Sequence, residues 1–203
     1  MPKIKFTKGE LKKQRDSLKQ FQRYLPTLLL KKQQLQMKIL EVRREMVILQ
    51  EKLASLSNSF ETWIGVLADP ELSKESDFTS WVIPLSVQTD SINIAGATIP
   101  VLRSVTFADV RYDLRLVPLW VDLAVIELRK YFEIVATMSV LKEQLIRLDH
   151  ELRITTQRVN LFEKIKIPES QENIRKIRIY LGDQMTNAVG ISKVAKGKIL
   201  QAA

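Results

Sequence analysis

LKQFQRYLPTLLLKKQQLQMKILEVRREMVILQEKLASLSNSFETWIGVL, residues 18 to 67, decides how this chain folds. Its apolar residues advance in alternating steps of three and four: Leu18, Phe21, Leu25, Leu28, Leu35, Ile39, Val42, Met46, Leu49, Leu53, Leu56, Phe60, Trp63 and Leu67, with Lys32 the one polar member. A mean step of about 3.5 residues keeps one seam of an α-helix facing a partner as the two wind left-handedly around each other. An ordinary globular helix ends after about three or four turns. A seam this long predicts a rod with a second helix beside it.

Glycine and proline mark the limits of the rod. Both are absent from Thr27 to Ile64 and from Leu119 to Ile167, whereas Gly65, Pro70, Pro84, Gly96, Pro100 and Pro118 gather between. At ~1.5 Å per residue the two clear stretches span about 57 and 73 Å as helices. The expected fold is mainly α: a long antiparallel two-helix coiled coil with a small β-hairpin insert at the tip. Residues 1–68 form the N-terminal arm, 69–117 the connecting segment with a hairpin at about 89–104, and 118–203 the C-terminal arm with a loosely ordered tail.

Local signals place the punctuation. Thr7 and Glu10 have the spacing of a capping box, so the first helix starts there and ends by Ala68, before Asp69-Pro70. Pro26 predicts a kink, because its ring removes one backbone hydrogen bond, and Thr27 is a weak cap for a restarted helix. In the insert, Ile92 and Ile94 alternate with polar neighbours before Gly96, as do Ile99 and Val101 after it. Gly96 supplies the positive φ of a tight hairpin, and Pro100, which has no N–H, makes its strand an edge. Pro118 suits the first turn of the second long helix. The second seam runs Ile134, Met138, Leu141, Leu145, Leu148, Leu152, Thr155, Val159, Phe162, and a stripe resumes at Ile174, Ile177 and Leu181, with Ala188 and Ile191 continuing it. Its phase slips by one residue around Ile165–Ser170, which predicts a bend near Pro168.

Composition closes off most chemistry. There is no cysteine, hence no disulfide, thiolate nucleophile or Cys-type zinc site. His150 is the only histidine and is flanked by the seam residues Leu148 and Leu152, so it reads as an ordinary flank residue. No glycine-rich phosphate loop is present, and Asp149 and Glu151 fall on opposite sides of a helix. No catalytic residue, no cofactor and no metal is expected, and the chain is not read as an enzyme. No apolar run reaches bilayer length and the N-terminus is polar, which predicts a soluble cytoplasmic protein.

The net charge of +9 is unevenly placed: 14 basic and 5 acidic residues up to Lys52, 4 and 8 from Leu53 to Pro118, 14 and 10 thereafter. With antiparallel arms, one end of the rod is basic and the other mildly acidic, a polarity able to steer an anionic partner. The basic residues are interspersed with acidic ones and no aromatic stacking platform is evident, so nucleic acid is not the expected partner. A generic coiled-coil scaffold and, below it, a basic nucleic-acid-binding helical protein are the alternatives.

Thr156-Gln157-Arg158-Val159-Asn160-Leu161-Phe162-Glu163-Lys164-Ile165-Lys166-Ile167-Pro168 resembles the R-R-V-N-A-L-E-x-x-x-I-P signature of the D subunits of V-type and A-type ATPases. Arg158, Val159, Asn160, Glu163, Ile167 and Pro168 match, Gln157 replaces the first Arg, and Leu161-Phe162 replace Ala-Leu. Asn93 to Leu102 is similar to that family's N-x-x-G-x-x-x-P hairpin, and Tyr112, Asp122 and Ala124 fall where the family resumes its second helix. The resemblance implies the central rotor shaft of a rotary ATPase, without a nucleotide site. The implied partners are the catalytic and regulatory subunits of the ATPase hexamer, the small F subunit of the central stalk and the component linking the shaft to the membrane ring. No direct membrane insertion is implied, and the complex translocates protons or sodium. The residues expected to hold the shaft together or meet partners are Leu35, Val42, Leu49 and Leu56 on the first seam, Leu145 and Leu152 on the second, and Gly96 and Pro100 in the hairpin. Arg158, Val159, Asn160, Glu163 and Pro168 complete the set; Arg158, Asn160 and Glu163 either order the helix pair through hydrogen bonds or meet a partner.

Overall fold

The computed structural model describes residues 5–61, 65, 81–109 and 120–202. Its elements in chain order are α1 (Lys8–Glu61), β1 (Ser86–Ile94), β2 (Ala97–Thr106), α2 (Trp120–Leu161), a π-helical turn (Phe162–Lys166) and α3 (Ile167–Ala202). The chain is mainly helical, with one two-stranded antiparallel hairpin. Expectations that fall on Trp63, Leu67, Pro70, Tyr112 and Pro118 lie outside the described residues.

Thr7 caps α1: the Glu10 N–H donates to Thr7 Oγ1 at 3.2 Å. The reciprocal half of the capping box is absent, because the Glu10 carboxylate accepts instead from Gln14 Nε2 at 2.9 Å. Pro26 lies inside α1. Thr27 does not cap a new helix there; its hydroxyl donates back to the Tyr24 carbonyl at 2.8 Å, the back-bond an interior threonine makes.

The chain divides into two units, Gln33–Arg153 and Met1–Lys32 with Ile154–Ala203. In the first, Leu35, Ile39 and Val42 of α1 form one core with Leu141 and Leu148 of α2 and with Ala97 and Ile99 of β2. The helices run antiparallel, since Arg43 reaches Asp149 at 4.0 Å while Phe60 meets Tyr131 edge-on with centroids 5.8 Å apart. Leu35, Val42 and Leu148 have no exposed surface. Burying each such side chain is worth about 1.5–3 kcal/mol. A smaller core joins Val82 to Val121 and Val125, with Trp81, Trp120, Leu128 and Phe132 packed on it.

The hairpin, expected at the tip of the arms, reaches back along this helix pair, so that β2 forms the third side of the main core. Its turn is two residues long, with Ala95 at φ 50° and Gly96 at φ 81°. Positive φ at both central positions gives the backbone twist that matches right-twisted strands. Asn93 Oδ1 fixes the turn by accepting from the Gly96 N–H at 2.8 Å. Register runs Ile94↔Ala97 to Ser86↔Thr106, with a shift between Gln88 and Thr89.

In the terminal unit Phe21 stacks on Phe162 with centroids 5.2 Å apart, and Phe6 meets Tyr180 at 5.0 Å. These pairs also run in opposite senses, so this unit too is an antiparallel helix pair. Thr155, Val159, Ser170, Asn173, Ile174 and Ile177 are its buried positions, whereas Ala188 and Ile191, expected to continue the stripe, are exposed. In the π-helical turn the Ile167 N–H bonds to the Phe162 carbonyl, one residue further back than in an α-helix. The extra residue absorbs the one-residue slip in the stripe: Val159 and Phe162 before it and Ile174 and Ile177 after it all lie on the less exposed side.

Candidate functional site

The residues singled out from the sequence fall into three groups. Leu35, Val42 and Val159 are buried, and Leu49, Leu56, Leu145 and Leu152 are half-buried along the helix pairs. Leu49, Leu145 and Leu152 pack against the main core. All seven lie on the less exposed sides of their helices. Gly96 is exposed at the hairpin turn, whereas Pro100 is buried. Arg158, Asn160, Glu163 and Pro168 are exposed, on and beside the π-helical turn. Arg158, Asn160 and Glu163 form no hydrogen bond or ion pair among the described residues. His150 is exposed.

Sequence reasoning missed the polar residues that fasten the hairpin. Gln144, 5% exposed, donates from Nε2 to the Pro100 carbonyl at 2.6 Å, and Arg147 donates to the Thr98 carbonyl at 3.3 Å. Arg129 grips both roots of the insert, donating from Nε to the Trp81 carbonyl at 2.9 Å and from Nη2 to the Ala108 carbonyl at 2.6 Å. Its guanidinium also lies 5.2 Å from the centre of the Phe107 ring. A signal was present. Gln144 is three residues after Leu141 and four before Leu148, and Arg129 is four after Val125 and three before Phe132. A polar residue at core-facing spacing has a buried partner to satisfy.

The two units differ in charge. The terminal unit carries 19 basic and 6 acidic residues, a balance of +13, and the other carries 13 and 17, a balance of −4. Glu172 is held in a bidentate pair by Arg175 Nε and Nη2, both at 2.9 Å. The hydrogen bond from Arg175 holds the Glu172 carboxyl below the ordinary carboxylate range, and Glu172 raises Arg175 in turn.

Among the described residues, exposed apolar side chains stand along both α1 and α3. On the outer side of α1, Met37, Leu40, Val47 and Ile48 are each more than half exposed, at about helical spacing. Along α3, Met185, Val189, Ile191, Val194, Ile199 and Leu200 are likewise more than half exposed. Exposed apolar side chains in such numbers are candidate interaction surfaces. Among the described residues there is no cluster of three or more metal-ligating side chains, and no helix is long and apolar enough to cross a membrane.

A family model for the D subunit of ATP synthase matches residues 10–197. The chain is 44% identical to the V-type ATP synthase D subunit of Borreliella burgdorferi over 201 residues, 99% of this chain and 97% of that one. It is 34% identical to the protein of the same name from Chlamydia caviae, covering 98% of this chain and 94% of the relative. With that of Chlamydia pneumoniae the identity is 32%, covering 97% and 93%.

Proposed function

The chain belongs to the family of ATP synthase D subunits, and from that premise we propose that it is the central-stalk rotor subunit of a V/A-type ATP synthase. It couples ATP hydrolysis or synthesis in the catalytic hexamer to proton or sodium translocation by turning, and it performs no catalysis itself. The observation that carries this reading is the pair of antiparallel helix units closed by interlocking seam residues. Two helices meshed knob into hole resist twisting better than one, because rotating either against the other must unseat close-packed side chains.

The remaining surfaces suit the partners of such a rotor. The basic terminal unit and the exposed apolar side chains of α3 suit insertion among the catalytic and regulatory subunits. The stripe Met37–Ile48 suits the small F subunit of the central stalk, and the hairpin-bearing unit suits the component linking the shaft to the membrane ring. Arg158, Asn160 and Glu163, exposed at the π-helical turn and without a hydrogen bond or ion pair among the described residues, are assigned to partner contact. Pro168 and Gly96 have structural roles, and the complex works on the cytoplasmic side of the membrane.

The test is to tag the chain, purify what accompanies it and remove the chain in turn. Catalytic-hexamer subunits should co-purify, and ATP-driven ion uptake into vesicles should vanish without the chain. A tagged chain that brings down no other ATPase component in repeated preparations, behaving as a scaffold on its own, sinks the reading. Tight, salt-sensitive binding to duplex DNA would point to the other alternative.

A further inference from the structure

β1 is the open edge of the hairpin. On the far side of the sheet β2 is sealed: its Thr98 and Pro100 carbonyls accept from Arg147 and Gln144, and Pro100 has no N–H to offer. Since those carbonyls face away from β1, Asn93↔Thr98 and Ser91↔Pro100 are the pairs without mutual ladder bonds. By the same alternation, the N–H and C=O groups of Thr89, Ser91 and Asn93 point out from the free edge of β1. Every residue from Ser86 to Asn93 is exposed.

Natural edge strands are usually guarded by proline, by charged side chains such as lysine, by a bulge or by extreme shortness. This one has nine residues and contains neither proline nor lysine. The register shift lies between Gln88 and Thr89, so Thr89 to Ile94 stays regular. Beneath it runs a groove of about 380 Å³ lined by Ile92, Ile94, Val101 and Val140. Ile92 is 49% exposed there.

We propose that β1 receives an extended segment from another protein of the complex as a third strand, with small apolar side chains entering this groove. The naming of the source rests on the rotor reading; the open edge does not. Main-chain pairing along Thr89–Asn93 supplies the binding, and the groove selects alternate side chains. Charge decides against a second copy of this chain. Antiparallel self-pairing through Thr89–Asn93 centres on Ser91 and makes the two Asp90 side chains diagonal neighbours on one face, where like charges disfavour a strand pair. Glu45, which lines the groove and has no ion pair among the described residues, adds a negative charge, while Lys38 is engaged by Glu41 at 2.9 Å. Asp90 has only Arg103 at 3.8 Å among the described residues. The incoming strand therefore carries Lys or Arg beside its apolar residues.

The experiment compares amide exchange in the peptide Gln88–Ile94 between the free chain and the complex purified through a tag on this chain. Exchange should slow at least tenfold in the complex. Ser91→Pro removes an outward N–H and no ladder bond, so it should lower recovery of one partner at least fivefold, with Ile92 and Ile94 still protected in the free chain. Asp90→Lys, which leaves the backbone untouched, should also reduce that recovery. Equal exchange in free chain and complex, with all ATPase components present, overturns the third strand and leaves the rotor reading standing. Full recovery with Asp90→Lys overturns it as well. Protection that appears in the free chain together with a sedimenting dimer overturns the choice of partner. Failure to recover any other ATPase component removes both readings.

Discussion

The unit Gln33–Arg153 and the terminal unit use the same antiparallel helix pair and finish it differently. In the first, β2 covers one flank of the seam, so Leu35, Val42 and Leu148 are wholly removed from water. In the second no strand is present among the described residues, and from Gly182 onward those residues are exposed. Two helices alone bury a stripe and leave their flanks wet. The third element adds Ala97 and Ile99 to the buried seam of the first unit, whereas in the terminal unit Ile177 is buried with no strand beside it among the described residues.

The largest expected effect probes that core directly. Leu148→Ala should cost about 2–5 kcal/mol, through lost burial plus the cavity left behind. Leu181→Ala in the terminal unit, at a half-buried position, should cost well under half as much. Urea unfolding of both variants measures the difference, and equal losses would erase the contrast between the units. Next comes the hairpin cover. Gln144→Ala leaves the buried Pro100 carbonyl without its donor and should cost about 1–3 kcal/mol, with faster amide exchange in β2 than in α3.

A smaller effect sharpens the comparison from the other side. A double-mutant cycle on Phe21 and Phe162, each changed to Leu, should give a coupling of about 0.5–1.5 kcal/mol, the worth of a stacked ring pair beyond its area. A coupling near zero would mean that the terminal pair is held by area alone. The smallest effect concerns pH. Arg175 lowers the Glu172 carboxyl in the folded chain, so its contribution is present above the ordinary carboxylate range and is lost as pH falls through the lowered value. Both groups are exposed, so the change should be slight. An acid titration of Glu172→Gln against the unaltered chain, followed by helicity, should show a difference at neutral pH that closes in acid.

How much of this could be read from residues alone differs between the helices and their fastenings. Along α1 every described position of the forecast stripe, from Leu18 to Phe60, is buried or half-buried, Lys32 included. Periodicity is a property of one helix, so one sequence suffices to read it. The turn at Gly96 was legible for a similar reason, although Ala95 shares its left-handed backbone at a cost of about 1–2 kcal/mol. Where the hairpin lies was not legible. That depends on Gln144, Arg147 and Arg129 meeting carbonyls about twenty to fifty residues away in the chain, and no local pattern encodes such a pairing. The slip in the second stripe was visible, but whether a bend or a widened turn absorbs it is a matter of backbone hydrogen bonding that side-chain spacing cannot express.

The five-residue π-helical turn has a consequence for how relatives of this chain change in length. Each residue of an α-helix advances the next by about 100°. Excising one residue from Phe162–Lys166 would restore ordinary helical winding and leave Ile174 and Ile177 on the side they occupy now, because the widened turn holds one residue more than an α-helix of the same phase. The widened turn is a vernier. It keeps the last 36 helical residues in step with the seam, so a single-codon deletion within it would be absorbed, whereas one elsewhere in the helix, with the wide turn kept, would misalign the terminal helix while leaving its helix content almost unchanged.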